Sequence, residues 1–149
     1  MAVAGSFNIR VYGIHLNKNL LLLTDERRNG FEFTKLPGGG MEFGETTVDC
    51  LKREFKEEYD CEITVQNHFY TTDIFVPSIW NPKQQIISIY YLIKSDAFDE
   101  IPLSNERLKF HTDKEDELHW RWANLELLTE HDFTFPIDKV VLKKLVNKK

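Results

Sequence analysis

The chain has 149 residues, of which 42% are hydrophobic and 29% are charged, and both values are ordinary for one compact globular domain. Its formal net charge is −5, without the basic arm or patch that binds duplex nucleic acid, so we expect no nucleic-acid duplex as a partner. No apolar run reaches the roughly 18 residues that cross a bilayer. No signal peptide is recognisable either, so we expect a single cytoplasmic domain over residues 1–149 with no membrane partner.

The first forty residues alternate between strand and turn patterns. Apolar and polar residues alternate over residues 7–11, which predicts a half-buried strand. The apolar run over residues 20–23 predicts a buried strand that forms a hairpin with the first. We expect a polar loop over residues 25–30 and a short strand over residues 31–36. A proline followed by three glycines excludes a helix or a central strand over residues 37–40.

Two later segments predict helices. Residues 46–59 show helical spacing, and Thr46 with Asp49 fits a capping box. Residues 136–146 form the second predicted helix, with proline in its first turn. The remaining segments predict one or two strands over 63–76, a loop over 77–82, a buried strand over 85–93, an irregular polar stretch over 95–116 and a strand over 118–122. This mixture favours an α/β (α+β) fold, with a sheet covered by helices on both sides.

Three glutamates of the first predicted helix form one acidic stripe. Glu54 and Glu58 are spaced i, i+4, and Glu57 lies close beside them. Like charges at this spacing repel each other, so a compensating cation is expected. An all-oxygen cluster suits Mg²⁺ or Mn²⁺ and leaves room for substrate phosphates. The alternative for such a string is a solvated acidic face.

The glycine segment before the helix supplies the second part of the candidate site. Gly38, Gly39 and Gly40 allow the backbone to approach a metal ion or phosphates closely, and a glycine carbonyl is a further candidate ligand. Arg53 is placed to hold a carboxylate, and Glu45 is placed to orient Arg53 or a water molecule. These groups predict hydrolysis of a phosphoanhydride, in which the cation neutralises charge and a carboxylate accepts the proton of water.

Residues Gly39 to Cys61 read GGMEFGETTVDCLKREFKEEYDC and resemble the Nudix box, G-x5-E-x7-R-E-U-x-E-E-x-G-U, where U is aliphatic or aromatic. Asp60 replaces the usual glycine after the paired glutamates. Asp tolerates the left-handed conformation better than most residues, so we expect a shifted helix cap and a retained site. The positions that match at the required spacing are Gly39, Glu45, Arg53, Glu54, Phe55, Glu57 and Glu58.

The resemblance to the Nudix (MutT-like) hydrolase family implies an α/β/α sandwich around a mixed β-sheet. It implies metal ligation by Glu54 and Glu58, often with Glu57 and sometimes with the carbonyl of Gly38. The general base is left open. The candidate catalytic residues are Glu45, Arg53, Glu54 and Glu57.

The activity that the resemblance implies is metal-dependent cleavage of a pyrophosphate bond in a nucleoside diphosphate linked to another moiety. The substrate is left open among NTPs or dNTPs, ADP-ribose, nucleotide sugars and similar compounds, and the assembly is left open between monomer and homodimer. A downstream glutamate, Glu117 or Glu115, is implied as a further metal ligand or base. The alternative function is a non-catalytic Nudix domain that binds a nucleotide as a sensor or regulator.

Aromatic residues outside the box predict less. Trp80, between two prolines, is a candidate to stack on a nucleobase, and its alternative role is to anchor the loop on the core. Phe75, Tyr90 and Tyr91 are expected in the core. The two cysteines are interpreted as small apolar fillers, and the five histidines have no ligand spacing.

Overall fold

A computed structural model describes residues 5–147 of the chain. The chain divides into two compact units. The first unit comprises Met1–Gly13 and Gly38–Ser95, and the second comprises Ile14–Pro37 and Asp96–Lys149. Numbered in chain order, the elements are β1 (Ser6–Ile14), β2 (Leu16–Asn17), β3 (Leu20–Arg28), β4 (Phe31–Lys35), β5 (Gly38–Gly40), α1 (Thr47–Tyr59), β6 (Thr64–Thr71), β7 (Gln84–Lys94), β8 (Glu117–Asn124), a 3-10 turn (Glu130–Asp132) and α2 (Pro136–Asn147).

The first unit contains a four-stranded sheet in the order β5-β1-β7-β6, together with α1. β5 is antiparallel to β1, with Gly40 opposite Arg10. β6 is antiparallel to β7. β1 and β7 run in the same direction, because Ser6 bonds to Lys83 before β7 begins, and Gly13 meets Ile93 near the ends of both strands.

Helix α1 packs on this sheet through the apolar stripe that its sequence predicts. Leu51 and Phe55 are fully buried. A Cβ on Gly13 would lie 2.8 Å from Cδ1 of Ile93 and 3.1 Å from the ring of Phe55, so the strand needs glycine where the helix crosses it. This packing fixes which side of the helix faces the sheet.

Both ends of α1 follow the sequence expectations. The Thr46 side chain accepts a hydrogen bond from the backbone N–H of Asp49 at 3.0 Å, and the Asp49 carboxylate accepts one from the backbone N–H of Thr46, so the capping box is confirmed. At the other end, Asp60 has φ 48° and ψ 40°, the left-handed conformation that the family pattern assigns to glycine. The expected tolerance of Asp for this conformation is therefore confirmed, whereas the expected shift of the helix cap is wrong, because the cap lies on Asp60 itself.

The second unit is built around β3, which pairs with β2, β4 and β8. The expected hairpin between the first strand and the apolar run at Leu20 is wrong, because β3 forms its hairpin with the two-residue β2 instead. The expected polar loop over residues 25–30 is also wrong for residues 25–28, which continue β3. Asp25 is buried and forms an ion pair with the buried Arg121 at 2.8 Å. This pairing explains how a polar sequence continues a buried strand.

The other predicted elements agree with the structure within a few residues, including β4, β6, β7, β8 and α2. Gly38–Gly40 forms an edge strand, in agreement with the exclusion of a central one. Tyr90 is in the core as expected, but the core placement of Phe75 is wrong, because 73% of that residue is exposed. Both cysteines are free and buried, which confirms their interpretation as fillers. Residues 5–147 thus form a mixed α+β fold with two helices and two sheets. None of the helices in residues 5–147 has the length and apolar character needed to cross a membrane.

Candidate active site

Arg53 is the centre of the candidate site in the first unit. Its guanidinium donates two hydrogen bonds to Glu45, from Nε to Oε2 at 3.0 Å and from Nη2 to Oε1 at 2.7 Å. This bidentate pairing is the strongest geometry available to arginine and a carboxylate. Nη2 also donates to the carbonyl oxygen of Gly40 at 2.9 Å. One side chain of α1 therefore holds both the end of β5 and the loop that leads into the helix.

The same guanidinium contacts two carboxylates of the acidic stripe. Nη1 donates to Oε1 of Glu54 at 3.1 Å and to Oε2 of Glu57 at 3.2 Å. The Glu54 carboxylate is largely buried, with 14% of its side chain exposed, whereas 60% of the Glu57 side chain is exposed. Glu54 is thus fixed against the protein, and Glu57 is reachable from solvent.

The electrostatics of the cluster follow from these contacts. Hydrogen bonds from Arg53, together with the backbone N–H of Glu42, lower the pKa of Glu45 from an ordinary 4.5 to about 2. The Glu45 carboxylate in turn raises the pKa of Arg53 above its usual range. Burial raises the pKa of the neighbouring Cys50 thiol to about 12, so this thiol stays protonated. At neutral pH the site carries ionised Glu45 and charged Arg53.

At two of the three glycines of β5, Gly38 and Gly39, the surroundings leave no space for a side chain. A Cβ on Gly39 would lie 2.4 Å from Cδ of Glu54 and 2.5 to 2.6 Å from its two oxygens. A Cβ on Gly38 would lie 2.1 Å from the carbonyl oxygen of Val11, and Gly38 has φ 144°. The Glu54 carboxylate is thereby laid directly against the backbone of β5.

The register of β5 directs two of its carbonyls away from β1. Met41 donates its backbone N–H to Ile9 at 2.8 Å, so the alternation of an antiparallel pair turns the polar groups of Gly38 and Gly40 outward. The bond from Arg53 to the Gly40 carbonyl agrees with this alternation. The Gly38 carbonyl, a candidate ligand in the sequence, therefore lies on the free edge of the sheet.

The structure brings most of the predicted site residues together, namely Gly39, Gly40, Glu45, Arg53, Glu54 and Glu57. Oε2 of Glu58 is buried. Trp80 is half-exposed on the loop before β7, and its backbone N–H donates to the Ser78 hydroxyl at 3.1 Å. Within residues 5–147, no three His, Cys, Asp or Glu side chains are grouped so that they could hold a metal ion. Ligation by Glu54, Glu57 and Glu58 thus stays a prediction, and so does the Trp80 contact.

Glu117 is a fixed residue of the second unit. Its carboxylate accepts hydrogen bonds from the backbone N–H groups of His111 at 2.8 Å and Thr112 at 3.0 Å, and it also contacts the Thr112 hydroxyl and the His119 ring. The Thr112 hydroxyl is the main cause that lowers the pKa of Glu117 to about 2. This carboxylate ties the segment before β8 to the strand.

Two participants in the site were not found from the sequence. The backbone N–H of Glu42 donates to Oε1 of Glu45 at 2.7 Å, and the Glu42 carboxylate lies 3.9 Å from Arg53. The Cys50 thiol lies 3.8 Å from the carbonyl oxygen of Gly39. Both contacts depend on how the loop folds back on the helix, which residue spacing does not encode.

A family model described as NUDIX domain matches residues 7–145. The chain belongs to the Nudix family. As a Nudix hydrolase, it is an enzyme of the pyrophosphohydrolase type. A comparison with curated proteins finds no match.

Solved structures share the Nudix fold of this chain. The E. coli ORF135 protein is 17% identical with a TM-score of 0.68, over 96% of this chain and 91% of that one. A MutT protein from Methanosarcina mazei Go1 is 16% identical with a TM-score of 0.67, over 99% and 98%. An ADP-ribose pyrophosphatase from Streptococcus suis is 16% identical with a TM-score of 0.53, over 93% and 87%. At these identities the structural likeness concerns the fold alone.

Proposed function

We propose that the protein hydrolyses a pyrophosphate bond in a nucleoside diphosphate linked to another moiety, with Mg²⁺ or Mn²⁺ as cofactor, and that it acts in the cytoplasm. The observation that carries the proposal is the gathering of Glu45, Glu54 and Glu57 around Arg53 at the glycine edge of the sheet. A surface acidic face would not need a half-buried arginine that donates five hydrogen bonds to oxygen atoms to order it.

The donor set suits a hard divalent cation. Glu54, Glu57 and Glu58 offer carboxylate oxygens, and the outward carbonyl of Gly38 offers a neutral one. A Cβ on Gly39 would occupy the position of the Glu54 carboxylate, so only glycine at this position lets the carboxylate lie against the backbone of β5. When bound, the cation neutralises the negative charge of the diphosphate and polarises its oxygens.

Glu57 is the proposed general base. Its side chain is 60% exposed, so a water molecule reaches it, and Arg53 holds one of its oxygens at 3.2 Å. Glu57 accepts the proton while the water oxygen attacks phosphorus, and the bond between phosphorus and the bridging oxygen breaks with the second phosphate as leaving group. Glu45 contributes indirectly, because its bidentate pairing orients Arg53.

Trp80 is the proposed contact for the nucleobase. It lies in the first unit with the acidic stripe, and half of its surface is exposed and available for stacking. The ADP-ribose pyrophosphatase among the structural neighbours makes ADP-ribose one compound to test, alongside dNTPs, nucleotide sugars and dinucleoside polyphosphates.

The decisive experiment is a substrate panel scored by kcat/KM with and without Mg²⁺, for the wild type and three variants. Glu57→Gln and Glu58→Gln should each lower turnover by about 100-fold or more while the fold is kept, since repulsion in the stripe is relieved. Glu62→Gln, at an exposed glutamate just beyond α1, is the matched control and should retain wild-type rates. Equal activity in all four proteins would remove the stripe from catalysis. Nucleotide binding without turnover in any condition would instead assign the sensor function.

A further inference from the structure

Three segments of the first unit meet at one end of its sheet. β5 ends where β1 begins, because the two are antiparallel. β7 begins beside the start of β1, as the bond from Ser6 N–H to the Lys83 carbonyl oxygen at 3.1 Å shows. The chain after β6 continues beside the start of β7, since Pro77 pairs with Gln85. The loop over residues 41–46, the start of β1 and the hairpin over residues 72–83 are therefore neighbours.

These segments carry an unusual share of exposed apolar side chains. Within residues 5–147, ten large apolar side chains are strongly exposed, and six of them lie at this end of the sheet. Trp80 is one of the six and is set aside as the proposed nucleobase contact. We name the other five the apolar end surface: Phe7, Phe43, Ile74, Phe75 and Ile79.

The hairpin displays its side chains from an ordered backbone. Ser78 N–H bonds to the Gln84 carbonyl at 2.8 Å, and Ile86 N–H bonds to that of Val76 at 2.8 Å. Between the pair formed by Thr72 and Ser88 and the bond from Ile86 to Val76, three residues on one strand face a single residue on the other. This bulge of two extra residues turns Ile74 and Phe75 outward. The exposure of Phe75 is thus fixed by strand pairing.

The size of the surface indicates its occupant. A fully exposed aromatic side chain offers about 200 Å², so the five residues together offer roughly 700 Å². The largest apolar patch of a typical monomer is about 300–600 Å², whereas each partner of a standard protein interface contributes about 800 Å². A nucleobase covers only a fraction of this area. We propose that the apolar end surface binds a second copy of this chain and forms a two-fold homodimer.

The test is sedimentation velocity of the full chain at concentrations between about 1 and 100 μM, at and above the weakest dissociation constants of standard-size interfaces. The wild type should be dimeric in the upper part of this range. The double variant Phe43→Asp/Phe75→Asp should raise the apparent dimer dissociation constant by about 100-fold or more. Leu103→Asp/Leu127→Asp is the matched control, with two similarly exposed leucines of the second unit and the same change in charge, and should dimerise like the wild type.

Three results would overturn the dimer. These are a wild type that stays monomeric at 100 μM, a Phe43/Phe75 variant that dimerises normally, and a control that dissociates equally. Circular dichroism of both double variants establishes that they are folded, as expected for substitutions at exposed positions. The dimer does not rest on the proposed function, because neither the measurement nor the substitutions involve the acidic stripe.

Discussion

At Gly39 the backbone of β5 lies so close to the Glu54 carboxylate that a methyl group does not fit between them. In Gly39→Ala the new Cβ would stand 2.4 Å from Cδ of Glu54, so the carboxylate has to move. The atom displaced is the end of a flexible side chain, so we expect a stability loss below about 1 kcal/mol but a loss of kcat/KM of about 10-fold or more. Steady-state kinetics and urea unfolding check the two halves of this expectation.

Gly38→Ala gives the contrasting result. Its Cβ would stand 2.1 Å from the Val11 carbonyl oxygen, which is backbone, and its φ of 144° is unfavourable for any other residue. This variant should lose several kcal/mol of unfolding free energy, on the order of the largest single-residue effects. If Gly39→Ala unfolded as readily as Gly38→Ala, the proposed displacement of Glu54 would not be the main effect at Gly39.

Helix α1 ends on a residue in a conformation that glycine adopts at less cost. Asp60 lies at φ 48° and also pairs with Lys56 at 2.8 Å, a fully exposed contact of small worth. Asp60→Ala should lower the free energy of unfolding by about 1 kcal/mol, because alanine lacks the tolerance of Asp for this region. Asp60→Gly should be neutral or stabilising in the same urea titration. A loss of stability in the glycine variant alone would contradict this account.

The elements that were predictable from sequence are those whose stability is local. Thr46, Asp49 and the Nudix spacing predict helix α1, and all three depend only on neighbours in the chain. The continuation of β3 through Asp25 was not predictable, because it depends on Arg121, which is 96 residues away. Phe75 was assigned to the core by its residue type, whereas a local irregularity in strand pairing turns it outward.

The candidate site also has contacts that were predictable from the sequence and contacts that were not. The spacing of Glu45, Arg53 and Glu54 places them in one motif, and the contacts among them follow that motif. The contribution of Glu42 through its backbone depends on a loop conformation with Gly44 at φ 94°. The backbone N–H is present in every residue except proline, so no pattern of side chains predicts this contact.

At the scale of the whole molecule, the second unit contains a buried ion pair between Asp25 and Arg121. Asp25 accepts hydrogen bonds from Arg121, from the Thr34 hydroxyl at 2.6 Å and from the backbone N–H of Leu108 at 3.0 Å. Arg121→Met should cost about 3 kcal/mol of unfolding free energy, because it leaves a buried carboxylate without its charge partner. Chemical denaturation measures this cost. A variant as stable as the wild type would show that Thr34 and Leu108 suffice.

Glu117 should make the stability of the whole chain depend on pH in acid. Its pKa is about 2 in the folded protein against an ordinary 4.5, so folding favours the ionised form. Its contribution is complete above about pH 4.5 and is lost as the pH falls towards 2. The difference in Tm between wild type and Glu117→Gln should therefore shrink over this window. Glu115→Gln, at an exposed neighbour, should show no such trend, and a constant difference for Glu117→Gln would contradict the assignment.

The chain has two cysteines, and both are free, buried and located in the first unit. The raised pKa of Cys50, about 12, and that of Cys61, about 11, keep both thiols in the unreactive form while the structure is closed. A thiol reagent therefore alkylates the protein only during transient openings that expose Cys50 or Cys61. Since the described part of the second unit has no thiol, the alkylation rate reports how often the unit that holds the acidic helix opens, without any engineered label.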